Sequence, residues 1–152
     1  MLSQLLLLEA VDSTNAEVIR RLEQGAPAGT VCTAERQRAG RGRRGRPWVS
    51  PYGRNIYLSL GWRFSQGAAA LEGLSLALGV AVSRALAGCG LPPVQLKWPN
   101  DLIHRGSKLG GILLEMSGDA AGSCHVAVGV GLNVAMPDAA AAAIDQQWTD
   151  VA

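Results

Sequence analysis

Between Arg36 and Arg54 the chain reads RQRAGRGRRGRPWVSPYGR, a stretch that holds seven of its fourteen basic residues and no acid. Glycine robs this stretch of regular-structure propensity and the arginines repel one another, so it forms neither a strand nor a stable helix. The fold must therefore be assembled from elements on either side of a long cationic loop. Outside the stretch, seven bases face twelve acids, so the net charge of +2 hides a positive loop on a mildly negative body. Such a loop meets a nucleic acid, a phosphorylated small molecule, or only solvent.

Thr30–Glu35 and Asn55–Trp62 flank the loop and read as strands. Before them, Ser13 or Thr14 caps a helix over Ala16–Gln24, with Glu17 in its first turn, Val18, Ile19 and Leu22 on its apolar face and Gly25 at its end. After them, Ala68–Ala87 predicts a long helix that is largely buried against a sheet, because it has few charges. Val94–Trp98, Leu109–Met116 and His125–Val134 read as three further strands, with a hairpin connection at Gly118–Gly122 between the last two. Asp138–Ile144 starts another helix. The fold class is α/β (α+β), with a mixed, partly antiparallel sheet flanked by helices. Strands and helices do not alternate regularly, which argues against a doubly wound sheet.

At 152 residues, 48% of them apolar, the chain is one domain with a sizeable core. The apolar run Leu5–Leu8 is too short to span a bilayer and lacks the basic flank of a signal peptide. Cys32, Cys89 and Cys124 are widely spaced, without a C-x-x-C pair, and read as reduced, mostly buried thiols of a cytoplasmic protein. Cys124 and His125 are adjacent, so in a strand they face opposite ways and build no metal site.

Four clusters carry the chemistry. Gly40-Arg41-Gly42-Arg43-Arg44-Gly45 is neither a dinucleotide fingerprint nor a Walker loop. Arginine forks and bare glycine backbone suit a mobile loop that closes over a phosphate-bearing ligand, with Trp48 and Tyr52 placed to stack on a base. Lys97-Trp98-Pro99-Asn100-Asp101 ends a strand with one of only two lysines, and Asp101 there can hold magnesium or orient a lysine. Lys108-Leu109-Gly110-Gly111 opens an apolar strand with the other lysine and two glycines, which a strand keeps where a ligand lies on its backbone. Gly129-Val130-Gly131-Leu132-Asn133 repeats the theme, with both glycines on one face and an amide at the end. No Ser-His-Asp triad or carboxylate pair is visible. Lysine and arginine around a carboxylate and phosphates point to nucleotidyl transfer.

Taken in order, these clusters, with Asp12-Ser13-Thr14-Asn15 and Gln37, resemble the catalytic domain of the biotin–protein ligases, also called biotin–[acetyl-CoA-carboxylase] ligases. The resemblance runs from Asp12 to Asn133. It implies an ATP-dependent ligase that joins biotin to ATP–Mg²⁺ to give biotinyl-5′-AMP and pyrophosphate. The biotinyl group then passes to a lysine of a biotin carboxyl carrier protein.

By that resemblance Ser13, Thr14, Asn15, Gln37, Arg41, Lys108, Gly110 and Gly111 bind biotin. Arg41, Arg43, Arg44, Trp48, Asn100, Asp101 and Asn133 hold the nucleotide. Lys108 is the main catalytic residue, assisted by Arg43, and Asp101 is a weak metal ligand. The implied fold is the one shared with class II aminoacyl-tRNA synthetases. A homodimer remains open, and no membrane or DNA is engaged through this chain. Asp12 comes so early that no N-terminal winged helix-turn-helix is expected, and the chain reads as cut short of a C-terminal SH3-like domain. Two rivals remain: a lipoate–protein ligase-like enzyme, whose pattern lacks this arginine loop, and a small nucleic-acid-binding module.

Overall fold

The computed structural model describes residues 2–67, 71, 73–91, 93–119 and 122–152. The strands are β1 (Gln4–Val11), β2 (Thr30–Gln37), β3 (Ile56–Phe64), β4 (Gln95–Lys97), β5 (Asp101–His104), β6 (Ser107–Gly118) and β7 (Cys124–Leu132), and the helices are α1 (Thr14–Glu23), α2 (Leu74–Gly88) and α3 (Asp138–Ala141). The strands form one sheet in the order β1-β2-β3-β7-β6-β5-β4. Only β1 and β2 run parallel, joined through α1; the other pairs are antiparallel. Among the described residues no helix is long and apolar enough to cross a membrane.

Alternation along β7 divides the core in two. Val126, Val128 and Leu132 point to one face, where they join Leu102, Leu109 and Ile112 beneath Leu78, Val82 and Leu86 of α2. Ala127 points to the other face, where it joins Val18, Leu22 and Cys32 beneath α1. Cys32 and Cys124 are buried and Cys89 is exposed; all three are free thiols. Burial pushes the Cys32 thiol up to about 11.

Helix α1 lies close to the sheet because the residues beneath it are small. Gly61 pairs with Ala127 across β3 and β7, and a methyl on Gly61 would overlap Val18 Cγ1. Ser13 is the N-cap, its Oγ accepting from Ala16 N at 3.4 Å. This selects between the two capping residues that the sequence offers. Gly25 follows the helix with φ 96°, the left-handed conformation that glycine adopts without strain.

Two strands carry no sequence expectation: the run Leu5–Leu8 belongs to edge strand β1, and Asp101–His104 forms β5. One expectation is overturned. Helix α2 is not largely buried: Leu76 and Val80 are 45% and 42% exposed. One face of a helix is all that a sheet covers, and an alanine-rich helix does not need its other face hidden. The start of the expected helix at Ala68, Ala69, Ala70 and Glu72 lies outside the described residues, as do Ala120 and Ala121 of the expected hairpin connection. The chain's final stretch also docks, although no closing element is legible there. Lys108 N donates to Gln147 O and Thr149 N donates to Lys108 O, at 3.1 and 2.9 Å.

Gly61→Ala should destabilise the chain by about 1–3 kcal/mol, because Val18 is β-branched and cannot swing away. A denaturant midpoint equal to that of the parent would contradict this packing. Glu17 supplies a pH test. Its carboxyl lies below its ordinary 4.5, held there first by the Arg20 hydrogen bond and then by Arg21, against the opposing effect of burial. A lowered folded value means that the stabilisation is present above 4.5 and lost as pH falls through the folded value. Glu17→Gln should therefore lower Tm at pH 7 by about 2 °C or less, with the gap closing in acid. Melting curves across that range check it.

Candidate functional site

Directly opposed residues of antiparallel strands share a face. On the α1 face, Tyr57 opposes Gly131, Ser59 opposes Gly129 and Gly61 opposes Ala127. Across β7, Gly131 opposes Gly111, Gly129 opposes Leu113 and Ala127 opposes Glu115. Six of these nine positions hold Gly, Ala or Ser, which leaves a thinly covered patch across three neighbouring strands. Helix α1 covers the Gly61–Ala127 end, and the rest is the floor of a cavity of about 600 Å³, a size that suits a small-molecule ligand.

One end of the cavity is polar and largely buried. Ser13, Thr14 and Asn15, at the start of α1, are each at most 4% exposed. Gln37 Oε1 accepts from Thr14 N at 2.9 Å and from Thr14 Oγ1 at 3.1 Å. Ser59 Oγ lies 2.8 Å from Thr14 Oγ1 and 2.6 Å from Asn15 Oδ1. Gly129 is bare for a reason: a Cβ there would stand 2.5 Å from Asn15 Oδ1.

The arginine stretch arches over this floor as a narrow hairpin. Trp48 N donates to Gly40 O and Gly42 N donates to Arg46 O, at 2.9 and 2.7 Å. A single 3₁₀ turn at Arg43–Gly45 makes the tip, with Arg44 at φ 57° in the left-handed region. Non-glycine residues in that region carry strain, which is found preferentially at functional sites. Arg41, Arg43, Arg44 and Arg46 all line the cavity. Trp48 lies on the glycine floor, where a Cβ on Gly131 would come 2.7 Å from its ring. The buried Trp48 Nε1 meets no acceptor among the described residues. Tyr57, also on the floor, donates its hydroxyl to Pro51 O at 2.9 Å and so pins the segment after the hairpin. Burial raises its phenol to about 12, which keeps it neutral.

At the far end, Lys108 Nζ lies 2.9 Å from Asp101 Oδ1 and 5.7 Å from the Trp48 ring centroid. Asp101 therefore orients a lysine, one of the two roles open to it. Among the described residues no three His, Cys, Asp or Glu side chains gather into a metal cage. Asn100 clamps its turn to β6: its Nδ2 donates to Ile112 O at 2.8 Å, and its carbonyl accepts from Ile112 N at 2.9 Å. Asn133 Nδ2 donates to Thr149 O at 3.1 Å, which ties the chain's end to the cavity rim.

Every residue that the resemblance assigns to biotin or the nucleotide lines this cavity except Gly110, and Lys97 of the second cluster also lies off it. Gly110 faces the other side, where a Cβ would meet Gly131 O at 2.5 Å and the side chains of Leu102 and Leu132. Its lack of a side chain serves core packing, and Gly111 alone opens the floor. Tyr52, 56% exposed, also lies off the lining. Sequence reasoning missed Ser59, Tyr57, Leu113 and the segment Ala143–Gln146 with Trp148, all of which contribute to the wall. Ser59 left a signal, a small hydroxyl inside an apolar strand. The 143–148 segment has no periodicity to mark it.

The biotin/lipoate A/B protein ligase family matches residues 7–133, and the chain belongs to that family. Over 142 residues it is 43% identical to the bifunctional ligase/repressor BirA of Escherichia coli, covering 93% of this chain and 44% of that protein. It is also 43% identical over 136 residues to the biotin–[acetyl-CoA-carboxylase] ligase of Mycobacterium tuberculosis, covering 86% of this chain and 49% of the relative. The chain thus spans about half the length of such relatives. Among solved structures, biotin protein ligase from Aquifex aeolicus in complex with biotin and ATP superposes with a TM-score of 0.76 at 35% identity, covering 98% of this chain and 60% of that one. The Leishmania major enzyme in complex with biotinyl-5-AMP gives 0.78 at 31% identity, covering 97% and 63%.

Gly131→Ala should dislodge Trp48, since the new methyl takes the place of its ring. The expected sign is a red shift of tryptophan emission with an unchanged far-ultraviolet circular dichroism spectrum. Emission identical to the parent would show that Trp48 does not rest on this glycine.

Proposed function

We propose that this chain activates biotin with ATP, forming biotinyl-5′-AMP and pyrophosphate, and then passes the biotinyl group to a lysine of a biotin carboxyl carrier protein. The carrying observation is the order of chemistry along one cavity. A buried hydrogen-bonding end at Thr14 and Gln37 leads over a glycine floor to a lysine and four arginines. A ureido ring offers a carbonyl and two N–H groups to the polar end. Lipoate would bring a dithiolane, which leaves buried amides and hydroxyls unpaired, and a site built to hydrogen-bond rejects such an analogue strongly. The named relatives point the same way. A nucleic-acid module fits less well, because the arginines turn into a cavity instead of spreading over a face.

In the first step a biotin carboxylate oxygen attacks the α-phosphorus and the bond to pyrophosphate breaks. Negative charge gathers on the reacting oxygens. Lys108, already held by Asp101, supplies a compact positive charge there, and Arg41 and Arg43 bring guanidinium forks from above. Trp48 Nε1, a buried donor without a partner among the described residues, suits an acceptor on the ligand. Magnesium would arrive with the nucleotide, held mainly by its phosphates, with Asp101 the carboxylate placed to join it. In the second step the carrier's neutral lysine amine attacks the acyl carbon, AMP leaves, and the amine's proton is lost to solvent. ATP as substrate and three free thiols fit a cytoplasmic setting.

Incubation with biotin and ATP–Mg²⁺ should release pyrophosphate and slow tryptic cleavage within 36–54, whereas lipoate should do neither. Lys108→Ala should cut adenylate formation by about 10²–10³-fold with Tm retained. Equal turnover with lipoate would overturn the choice of substrate, and an unaltered rate in the variant would remove Lys108 from the chemistry.

A further inference from the structure

Lys108 is the second residue of β6, and on one side of it the sheet stops short. Strand β7 pairs with β6 only as far as Leu132 opposite Gly110. Asn133 N then donates to Leu109 O at 2.9 Å. The place beside Lys108 is taken by the docked end of the chain, where Trp148 forms a parallel bridge with Lys108. In a parallel bridge the bonds come from the two residues that flank the partner. Gln147 O accepts from Lys108 N at 3.1 Å, and Thr149 N donates to Lys108 O at 2.9 Å. A residue has one backbone N–H, so Lys108 has none left for β5. Ile103 is its partner there in register alone, beside a register shift between Leu102 and Ile103.

The segment that holds Lys108 is itself anchored. Thr149 O accepts from Asn133 Nδ2 at 3.1 Å, Asp150 Oδ2 accepts from Met136 N at 2.9 Å, and Ala152 N donates to Val134 O at 3.0 Å. It also forms one wall of the cavity, through Ile144, Asp145, Gln146 and Trp148. Lys108 thus has two attachments. Asp101 holds its Nζ at 2.9 Å, and the cavity wall holds its backbone. A lysine stem is long and flexible, so it does not by itself fix where its charge lies. The backbone it grows from has to be fixed instead.

We propose that the segment from Gln147 to Thr149 positions Lys108 for adenylate formation: it stands in for β7 beside the lysine and fixes the backbone from which Nζ reaches the reacting oxygens. This rests on the biotin reading above. The segment acts through its backbone, so Gln147 and Thr149 are positioning residues and their side chains need not touch the substrate.

Thr149→Pro removes the N–H that holds Lys108 O and leaves the Gln147 carbonyl in place. Adenylate formation is then measured at saturating biotin and ATP–Mg²⁺ in four proteins: the parent, Thr149→Pro, Lys108→Ala and the double variant. Any loss of ligand affinity from a displaced Trp148 enters KM, and saturation leaves kcat to report on Lys108. Thr149→Pro should lower the parent's kcat by about 10–10²-fold, which is what a small misplacement of a catalytic group costs. It should change the residual kcat of Lys108→Ala by less than about twofold, because two changes that act through one group do not add. An equal fractional loss in both backgrounds is general damage to the fold and overturns the proposal, as does a parental kcat in Thr149→Pro. Should Thr149→Pro fail to fold, an ester in place of the amide between Trp148 and Thr149, introduced by semisynthesis, removes the same hydrogen alone, and the same two comparisons decide. If the parent forms no biotinyl-5′-AMP, the biotin reading fails and takes this proposal with it, whereas an equal loss in both backgrounds beside an active parent sinks the proposal alone.

Discussion

The close approach of two different bodies to one sheet face is the constraint on which the site depends. Helix α1 and the arginine hairpin both lie on the same three strands, and both need those strands to be nearly bare. Gly61 and Ala127 let Val18 and Leu22 sit down on β3 and β7, Gly129 leaves room for the Asn15 amide, and Gly131 and Gly111 accept Trp48. Glycine weakens a strand by forgoing packing and ordering a flexible backbone. The cost is offset on the far face, where Val126, Val128, Leu132, Ile112 and Leu109 build the larger apolar cluster. One face of β6 and β7 thus holds the sheet together and the other is kept open for chemistry.

Charge is arranged on this floor by the same economy. The start of α1 brings three small polar side chains to one end because Ser13 caps the helix and Thr14 and Asn15 follow it. The opening of β6 brings Lys108 to the other end, where register with β5 sets it near Asp101. The hairpin spans the gap, anchored at its base by the Gly40–Trp48 pairing and at its side by Arg41 on Glu115. Opposite charges at both ends hold the long cationic side chains in defined places, where arginines alone would repel one another and spread.

Much of this was legible in the sequence, for reasons that belong to particular residues. The alternate glycines at 129 and 131 announced a bare face because strand periodicity is two, and the rarity of lysine drew the eye to Lys108. Periodicity alone puts Gly110 on the face of Lys108; the register shift between β5 and β6 breaks that alternation, so only Gly111 reaches the cavity. Helix α2 misled because hydropathy counts composition and not coverage: its alanines tolerate solvent on one face. Strand β1 and the docked end near Trp148 were hidden because their pairing is set by partners distant in sequence. Glu115 was in plain view, yet its partners come from α1 and the hairpin, a junction no linear pattern encodes.

We propose that the bare patch on one sheet face, roofed by the arginine hairpin, seats an acyl-adenylate. Hydrogen–deuterium exchange with and without biotinyl-5′-AMP addresses it directly. Slower exchange should appear in the hairpin from 37 to 48, at the start of α1, and along the cavity-facing parts of β6 and β7, with β1 and α2 unchanged. Protection confined to α2 and the β4 edge, or none at saturating ligand, would contradict it.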